Sequence, residues 1–225
     1  MSLMEIIGPV MVGPSSSHTA GAAKLGNVAR RLWGKDVKDV TLYLRGSFAA
    51  TYWGHGTDRA LIGGLMGWLP DDERIPVAFD MAREVGMSYR FREEFVDGAH
   101  PNSVRFVMSD GDKTMEMVGA SIGGGSVRIQ EIDGFPVDIG GDLPALVIFH
   151  RDKPGVMASI TTEIFRMKLN IAQMTLKRKA RGKDAMVVIE MDGKLDQEEL
   201  EKLEGFHSAY TRMFLLPAAA EEAQS

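Results

Sequence analysis

From Pro144 to Pro217 the hydrophobic pattern switches between a period of two and a helical period in one order, and that order admits few folds. Apolar-rich runs at Ala145 to His150, Ile171 to Arg178, Ala185 to Met191 and Ser208 to Leu216 predict strands. Between the first two, Met157, Ile160, Ile164 and Met167 recur at i, i+3, i+7 and i+10, one face of a helix. Between the last two, Leu200 and Leu203 mark a shorter helix. Strand, helix, strand, strand, helix, strand predicts a ferredoxin-like βαββαβ sandwich, with both helices on one face of an antiparallel sheet.

The preceding part is patterned differently. Ala22, Leu25, Ala29, Leu32 and Trp33 follow helical spacing, with Thr19 at the expected N-cap position. Val40, Leu42 and Leu44 alternate with Thr41, Tyr43 and Arg45, a half-buried strand. A glycine-rich turn, Gly54-His55-Gly56-Thr57-Asp58, leads into a helix with Ile62, Leu65 and Met66, which Trp68-Leu69-Pro70 ends. Ala78, Met81, Ala82 and Val85 predict a third helix. Val104, Phe106 and Met108 face Met115 and Met117 across Asp110-Gly111-Asp112, a hairpin, and Val127, Ile129 and Ile132 extend the sheet to Gly134. Residues 138–143 are the expected linker between domains at 1–140 and 144–217. At 225 residues the chain can build two small cores without disulfides.

Charge and composition exclude several classes of function. A net charge of -5 argues against nucleic acid or an anionic membrane as partner, because phosphate binding needs clustered Lys and Arg. Lys177-Arg178-Lys179, with Arg181 and Lys183, surrounds a turn glycine and is a solvated hairpin end. There is no cysteine, so this chain has no disulfide, no thiol nucleophile and no thiolate to ligate zinc or an iron-sulfur cluster. Met1-Ser2-Leu3 opens without a basic segment, and no run approaches the roughly 18 apolar residues of a membrane span; a cytoplasmic location is expected.

Gly13-Pro14-Ser15-Ser16-Ser17-His18-Thr19 gathers hydroxyls, an imidazole and free backbone amides at a helix start, a place that holds a carboxylate or phosphate. An ordinary polar cap fits the same spacing. A Ser-His nucleophile pair is disfavoured, since no acid stands where it would orient the imidazole. His55 lies between two glycines, which allow close approach of a ligand; a histidine that only decorates a turn is the alternative. His100-Pro101-Asn102 offers an imidazole and a carboxamide, or a turn in which Asn102 bonds its own backbone. None of these histidines has paired metal spacing, which disfavours a zinc site. Gly123-Gly124-Gly125 lacks the Lys and Ser/Thr of a phosphate loop and is a bend or bulge. In the last third, Pro154 and Gly155 permit a tight turn at Asp152-Lys153-Pro154-Gly155 whose amides point outward; an amino-acid ligand or a plain turn fits it equally.

Taken together, six blocks resemble the beta subunit of iron-sulfur-dependent L-serine dehydratase: residues 13–21, Gly46-Ser47-Phe48 through Tyr52, Gly54-His55-Gly56-Thr57 through Leu61, residues 70–74, His100-Pro101-Asn102 and Ser121 through Gly125. Residues 144–217 resemble an ACT domain, whose Asp-x-Pro-Gly turn is 152–155 here. The resemblance implies an α+β chain: a beta domain with a mixed sheet and helices, similar to the substrate-binding regulatory domain of phosphoglycerate dehydrogenase, then the ACT domain. It implies deamination of L-serine to pyruvate and ammonia, with an alpha subunit holding a 4Fe-4S cluster that acts as Lewis acid on the leaving hydroxyl. His55 is then the expected base, with His18 as the alternative, and Ser15, Ser16, Ser17, His18, Thr19, Thr57, His100 and Asn102 are expected to position L-serine. Asp152, Pro154 and Gly155 are expected to bind a regulatory amino acid, and a homodimer through the ACT domain is expected. The competing reading is a non-catalytic serine sensor.

Overall fold

A computed structural model describes residues 11–193, 195 and 197–218. The start of the chain, on which the expected location rests, lies outside the described residues. The chain divides into two compact units on either side of the Gly134–Phe135 bond. That boundary precedes the expected linker, because Phe135–Ile139 is itself a strand and residues 138 and 139 belong to it.

In the first unit, strands β1 (Asp39–Leu44), β2 (Ser88–Glu93), β3 (Ser103–Asp110), β4 (Lys113–Gly123) and β5 (Ser126–Ile132) lie in the order β2-β1-β3-β4-β5. β2 runs parallel to β1 and the other neighbours are antiparallel, so the sheet is mixed. One face is apolar by strict alternation. Val40, Leu42 and Leu44 sit opposite Met108, Phe106 and Val104, and all six are fully buried. A buried side chain of this size contributes about 1.5–3 kcal/mol, so these three cross-strand pairs set the register of β1 and β3.

Helices α1 (Gly21–Trp33), α2 (Gly46–Thr51), α3 (Thr57–Leu65) and α4 (Ala78–Glu84) complete the unit. α1 and α3 touch backbone to backbone. A Cβ on Gly64 would strike the Ala23 carbonyl oxygen and come within 2.8 Å of the Asn27 nitrogen, and one on Gly26 would strike the Leu61 carbonyl oxygen. Only hydrogen fits at both positions, and the close crossing fixes the first half of α1 against the second half of α3. Two elements leave no periodic signal in the sequence. α2 has six residues, too few to show a helical period. β2 reads Ser-Tyr-Arg-Phe-Arg-Glu, and its charged positions hide the alternation of half-buried Tyr89 and Phe91.

The second unit holds β6 (Phe135–Ile139), β7 (Ala145–Arg151), α5 (Val156–Arg166), β8 (Asn170–Arg178), β9 (Asp184–Asp192), α6 (Gln197–Phe206) and β10 (Tyr210–Leu216). Its four-stranded antiparallel sheet has the order β10-β7-β9-β8. Leu146, Ile148, Val187, Ile189 and Met191 of the sheet pack with Val156, Ile160 and Ile164 of α5 and Leu203 of α6. This is the expected βαββαβ sandwich, with both helices on one face. On the other face Phe149 meets Phe135 and Phe214 edge-on, at 5.9 and 6.3 Å between ring centres.

Candidate functional site

The serine-rich loop does not end in a simple cap. Residues Ser16–Ala20 form one π-helical turn ahead of α1, and Ser15, not Thr19, is the cap: its Oγ accepts from the His18 backbone N–H at 3.1 Å. π turns recur at functional sites because they bulge side chains out of helical register. Here the bulge leaves Thr19 buried, donating from its hydroxyl to the His55 carbonyl at 3.3 Å. That bond ties the loop to the glycine-rich turn before α3.

His18 is the centre of the arrangement. Its Nε2 lies 3.0 Å from Ser47 Oγ in α2, and its Nδ1 lies 3.5 Å from Ser15 Oγ. The edge of Phe48 meets the ring at 5.4 Å, and the ring of His55 stands 5.1 Å away, tilted by 39°. Burial lowers the His18 pKa, and the nearby imidazole of His55 lowers it further. His18 is therefore neutral near pH 7 and able to act as hydrogen-bond acceptor or donor, while the exposed His55 faces solvent.

His100, Pro101 and Asn102 pack on the start of α2. The Phe48 N–H donates to the Pro101 carbonyl at 3.2 Å, and Gly46, in the left-handed region at φ 53°, lies so close to Pro101 that a Cβ would come within 2.6 Å of the Pro101 Cα. The Asn102 N–H donates to His100 Nδ1 at 3.1 Å, so the imidazole also organises the turn. Behind this loop Glu94 accepts from Arg45 at 2.6 and 2.8 Å and from Arg105 at 2.5 Å. Burial alone would raise the Glu94 carboxyl, but hydrogen bonds from Arg105 and Arg45 outweigh it and its pKa is lowered. A cavity of about 230 Å³ opens along the seam, lined by Arg45, Gly46, Glu94, Ala99 and Pro101 among others.

Three buried polar atoms on these same segments have no hydrogen-bond partner among the described residues: Thr57 Oγ1, Asn102 Oδ1 and Ser121 Oγ. Each costs about 1–3 kcal/mol when left unpaired. Thr57 follows His55 by two residues, the Ser121 N–H donates to the Asn102 carbonyl at 2.9 Å, and a Cβ on Gly21, at the start of α1, would strike the Ser121 hydroxyl. The chain thus concentrates unused polar capacity where its histidines and serines meet. Asp58 is buried beside Thr57; burial raises its pKa despite the hydrogen bond from the Arg59 N–H.

The fold therefore brings together Ser15, His18, Thr19 and His55, and ties His100 and Asn102 to α2 through Pro101. Ser16 and Ser17 are half-buried in the π turn, and the Ser16 carbonyl accepts from Gly21. Ser47 lies in one of the six blocks that carry the resemblance, but no spacing or residue type singles it out; the position of α2 brings it to His18. In the second unit the Asp152 carboxylate accepts from the Gly182 N–H at 2.9 Å and from Arg178 at 3.0 Å. The bond from Gly182 does most to lower its pKa. Asp152 thus clips the turn before α5 to the β8–β9 turn, where part of the basic cluster is used. Gly155 supplies the left-handed cap of α5, and Pro154 is exposed. The neighbouring His150 is buried, with Nδ1 at 2.9 Å from the Arg151 carbonyl oxygen and Nε2 unpartnered among the described residues.

An α+β protein whose first unit gathers histidines and serine hydroxyls at one helix start, and whose second is a βαββαβ module, is the class these features define. The serine dehydratase beta chain family model matches residues 2–132 and the ACT domain model residues 145–207. The chain is 43% identical over 202 residues to the probable L-serine dehydratase, beta chain, of Bacillus subtilis, covering 90% of this chain and 92% of that one. It is 38% identical over 198 residues to the L-serine dehydratase, beta chain, of Peptoniphilus asaccharolyticus, covering 87% and 89%. A D-3-phosphoglycerate dehydrogenase of Bacillus subtilis is 24% identical over 182 residues, 81% of this chain and 35% of that one. The chain belongs to the serine dehydratase beta chain family.

Proposed function

We propose that this chain is the beta subunit of a cytoplasmic L-serine dehydratase, a lyase that converts L-serine to pyruvate and ammonia together with an alpha subunit carrying a 4Fe-4S cluster. The observation that carries the reading is the His18–His55 pair, set among serine hydroxyls and buried polar atoms that have no partner among the described residues, in a chain of this family. The chain has no cysteine, and the described residues contain no group of three or more His, Asp or Glu able to hold a metal ion. Its residues do not fit the cluster, so the partner ligates it, and this chain's own side chains bind the substrate and move its proton.

Ser16 and Ser17, with the first amides of the π turn, hold the substrate carboxylate at the start of α1, where the helix dipole favours an anion, while Ser15 and Thr19, whose hydroxyls are engaged with His18 and the His55 carbonyl, shape the loop around it. Thr57, His100 and Asn102 supply further polar contacts, and His18 backs the ring of His55. His55, exposed and facing the neutral His18, takes the Cα proton. Loss of that proton and of the β-hydroxyl forms an enamine, which tautomerises to an imine; water hydrolyses the imine to pyruvate and ammonia. General-base catalysis of this kind is worth about 10²–10⁴-fold.

The test is anaerobic reconstitution with the alpha subunit. Pyruvate should form from L-serine only when both chains are present. The likeness to D-3-phosphoglycerate dehydrogenase favours a second reading, a serine-sensing regulatory protein; serine binding by this chain with no pyruvate from any reconstituted pair would select it. For the ACT domain, Asp152, Pro154 and Gly155 are assigned to binding a regulatory amino acid, most simply L-serine, and the domain to pairing two copies of the chain. Calorimetry on the intact chain, with and without Asp152→Ala, tests the first assignment, and sedimentation tests the second.

A further inference from the structure

Both ring nitrogens of His18 are taken by hydroxyls from different parts of the chain, Ser15 three residues before it and Ser47 on α2. Ser15 Oγ already accepts from the His18 backbone N–H, and the arrangement that also uses its donor capacity directs its own proton at Nδ1. Nδ1 is then an acceptor, and Nε2 carries the proton that it donates to Ser47. The Phe48 edge closes another side of the ring, which leaves His55 against it. Behind Ser47, α2 is braced within itself and packed against the His100–Asn102 loop. The Thr51 hydroxyl donates to the Ser47 carbonyl at 2.8 Å, and Gly46 is locked against Pro101.

We propose that Ser47 is a positioning residue of this site, which through its hydroxyl at Nε2 fixes one neutral tautomer and one ring orientation of His18 and thereby leaves His55 as the imidazole free to take a proton. His18 cannot receive the Cα proton at Nε2 without giving up its tautomer, or at Nδ1 without displacing the Ser15 hydroxyl. His55 carries no such constraint: the bond from the loop reaches its backbone carbonyl, and its ring is exposed. The orientation claim concerns this chain by itself; the catalytic consequence rests on the dehydratase reading.

Two measurements separate these claims. Long-range proton–nitrogen NMR of the intact, ¹⁵N-histidine-labelled chain reads the tautomer of His18 without any activity. The expected result is a protonated Nε2 in the wild type, kept in Ser47→Thr and reduced to a mixture of tautomers in Ser47→Val and Ser47→Ala. Threonine and valine differ only in the hydroxyl. A wild-type His18 protonated at Nδ1, or a tautomer indifferent to Ser47→Val, overturns the proposal; if both hydroxyl-free variants fail to fold, the wild-type tautomer alone decides. With the alpha subunit, Ser47→Ala should lower kcat about 10- to 100-fold, as loss of a histidine's orienting partner does, with a much smaller change in KM. A KM effect with unchanged kcat would make Ser47 a simple binding contact and sink the positioning role. Absence of pyruvate from the wild-type pair would instead reject the dehydratase reading and leave the tautomer result standing.

Discussion

The Ser15–Thr19 loop and the Asp152–Gly155 turn both lead into a helix, yet they use their polar groups differently. In the first, a π turn and the crossing of α1 with α3 hold two imidazoles 5.1 Å apart, and three buried polar atoms of the surrounding segments have no partner among the described residues. In the second, the carboxylate is satisfied by Gly182 and Arg178 of its own unit, and a nearby buried atom, His150 Nε2, has no partner among the described residues. Unpaired buried groups cost stability and persist where something outside the chain pairs with them; a self-satisfied clip stabilises the fold whether or not a ligand arrives. The same kind of sequence signal, a turn rich in small and polar residues, therefore has two physical outcomes.

The largest expected effect tests the first half of that contrast. His55→Ala in the reconstituted enzyme should reduce pyruvate formation about 10²–10⁴-fold with the cluster's absorption spectrum unchanged. Near wild-type turnover would remove His55 as the base. Next, Gly64→Ala should destabilise the first unit by about 1–3 kcal/mol, because the new methyl meets the backbone of α1. The same substitution at the open Gly134 meets no neighbouring atom, although its φ of 78° still strains any side chain. Denaturant unfolding of both variants separates the two causes: Gly64 has no positive φ, so a negligible loss there beside a clear loss at Gly134 would mean that the helix crossing yields and does not set the cost.

A third prediction concerns charge. His18 should titrate below the ordinary imidazole value of 6.5, and His55→Ala should bring it partly back, since burial remains when the neighbouring imidazole is gone. Proton NMR of the ring signals reads both, and no movement in His55→Ala would show that the two rings do not share charge. The smallest effect belongs to the second unit. The folded pKa of Asp152 lies below its unfolded value, so its stabilisation is present above about pH 3.8 and is lost as pH falls through the lowered value. Asp152→Ala should thus lower the melting temperature slightly at pH 7 and not at all at strongly acidic pH. An equal loss at both would mean that the clip acts through packing instead of charge.

Much of the architecture is legible in the sequence because it is local. All four strands and both helices of residues 145–216 show in the alternation of apolar positions, as does the hairpin at Gly111-Asp112, since side-chain periods of two and 3.6 depend only on neighbours along the chain. β2 escapes because a parallel edge strand is specified by its partner β1, 44 to 54 residues away in the chain at its ends, and half of its positions are charged. The cap falls at Ser15 and not at the expected Thr19 because nothing in the residue types announces a π turn.

The candidate site divides along the same line. Residue types and order alone determined that hydroxyls and imidazoles stand at a helix start and between glycines, that no thiolate is available, and that a βαββαβ module follows. Those properties are chemical inventory and local geometry. Only the tertiary structure decided that Ser15–Thr19 and the His55 turn adjoin, that Ser47 holds the far nitrogen of His18 across 29 positions of sequence, and which polar atoms stay unpaired. The reason is physical: such contacts depend on how closely α1 approaches α3 and α2 approaches the His100–Asn102 loop, and those distances are set by Gly26 and Gly64 in the first case and Gly46 in the second, whose neighbours are remote in sequence.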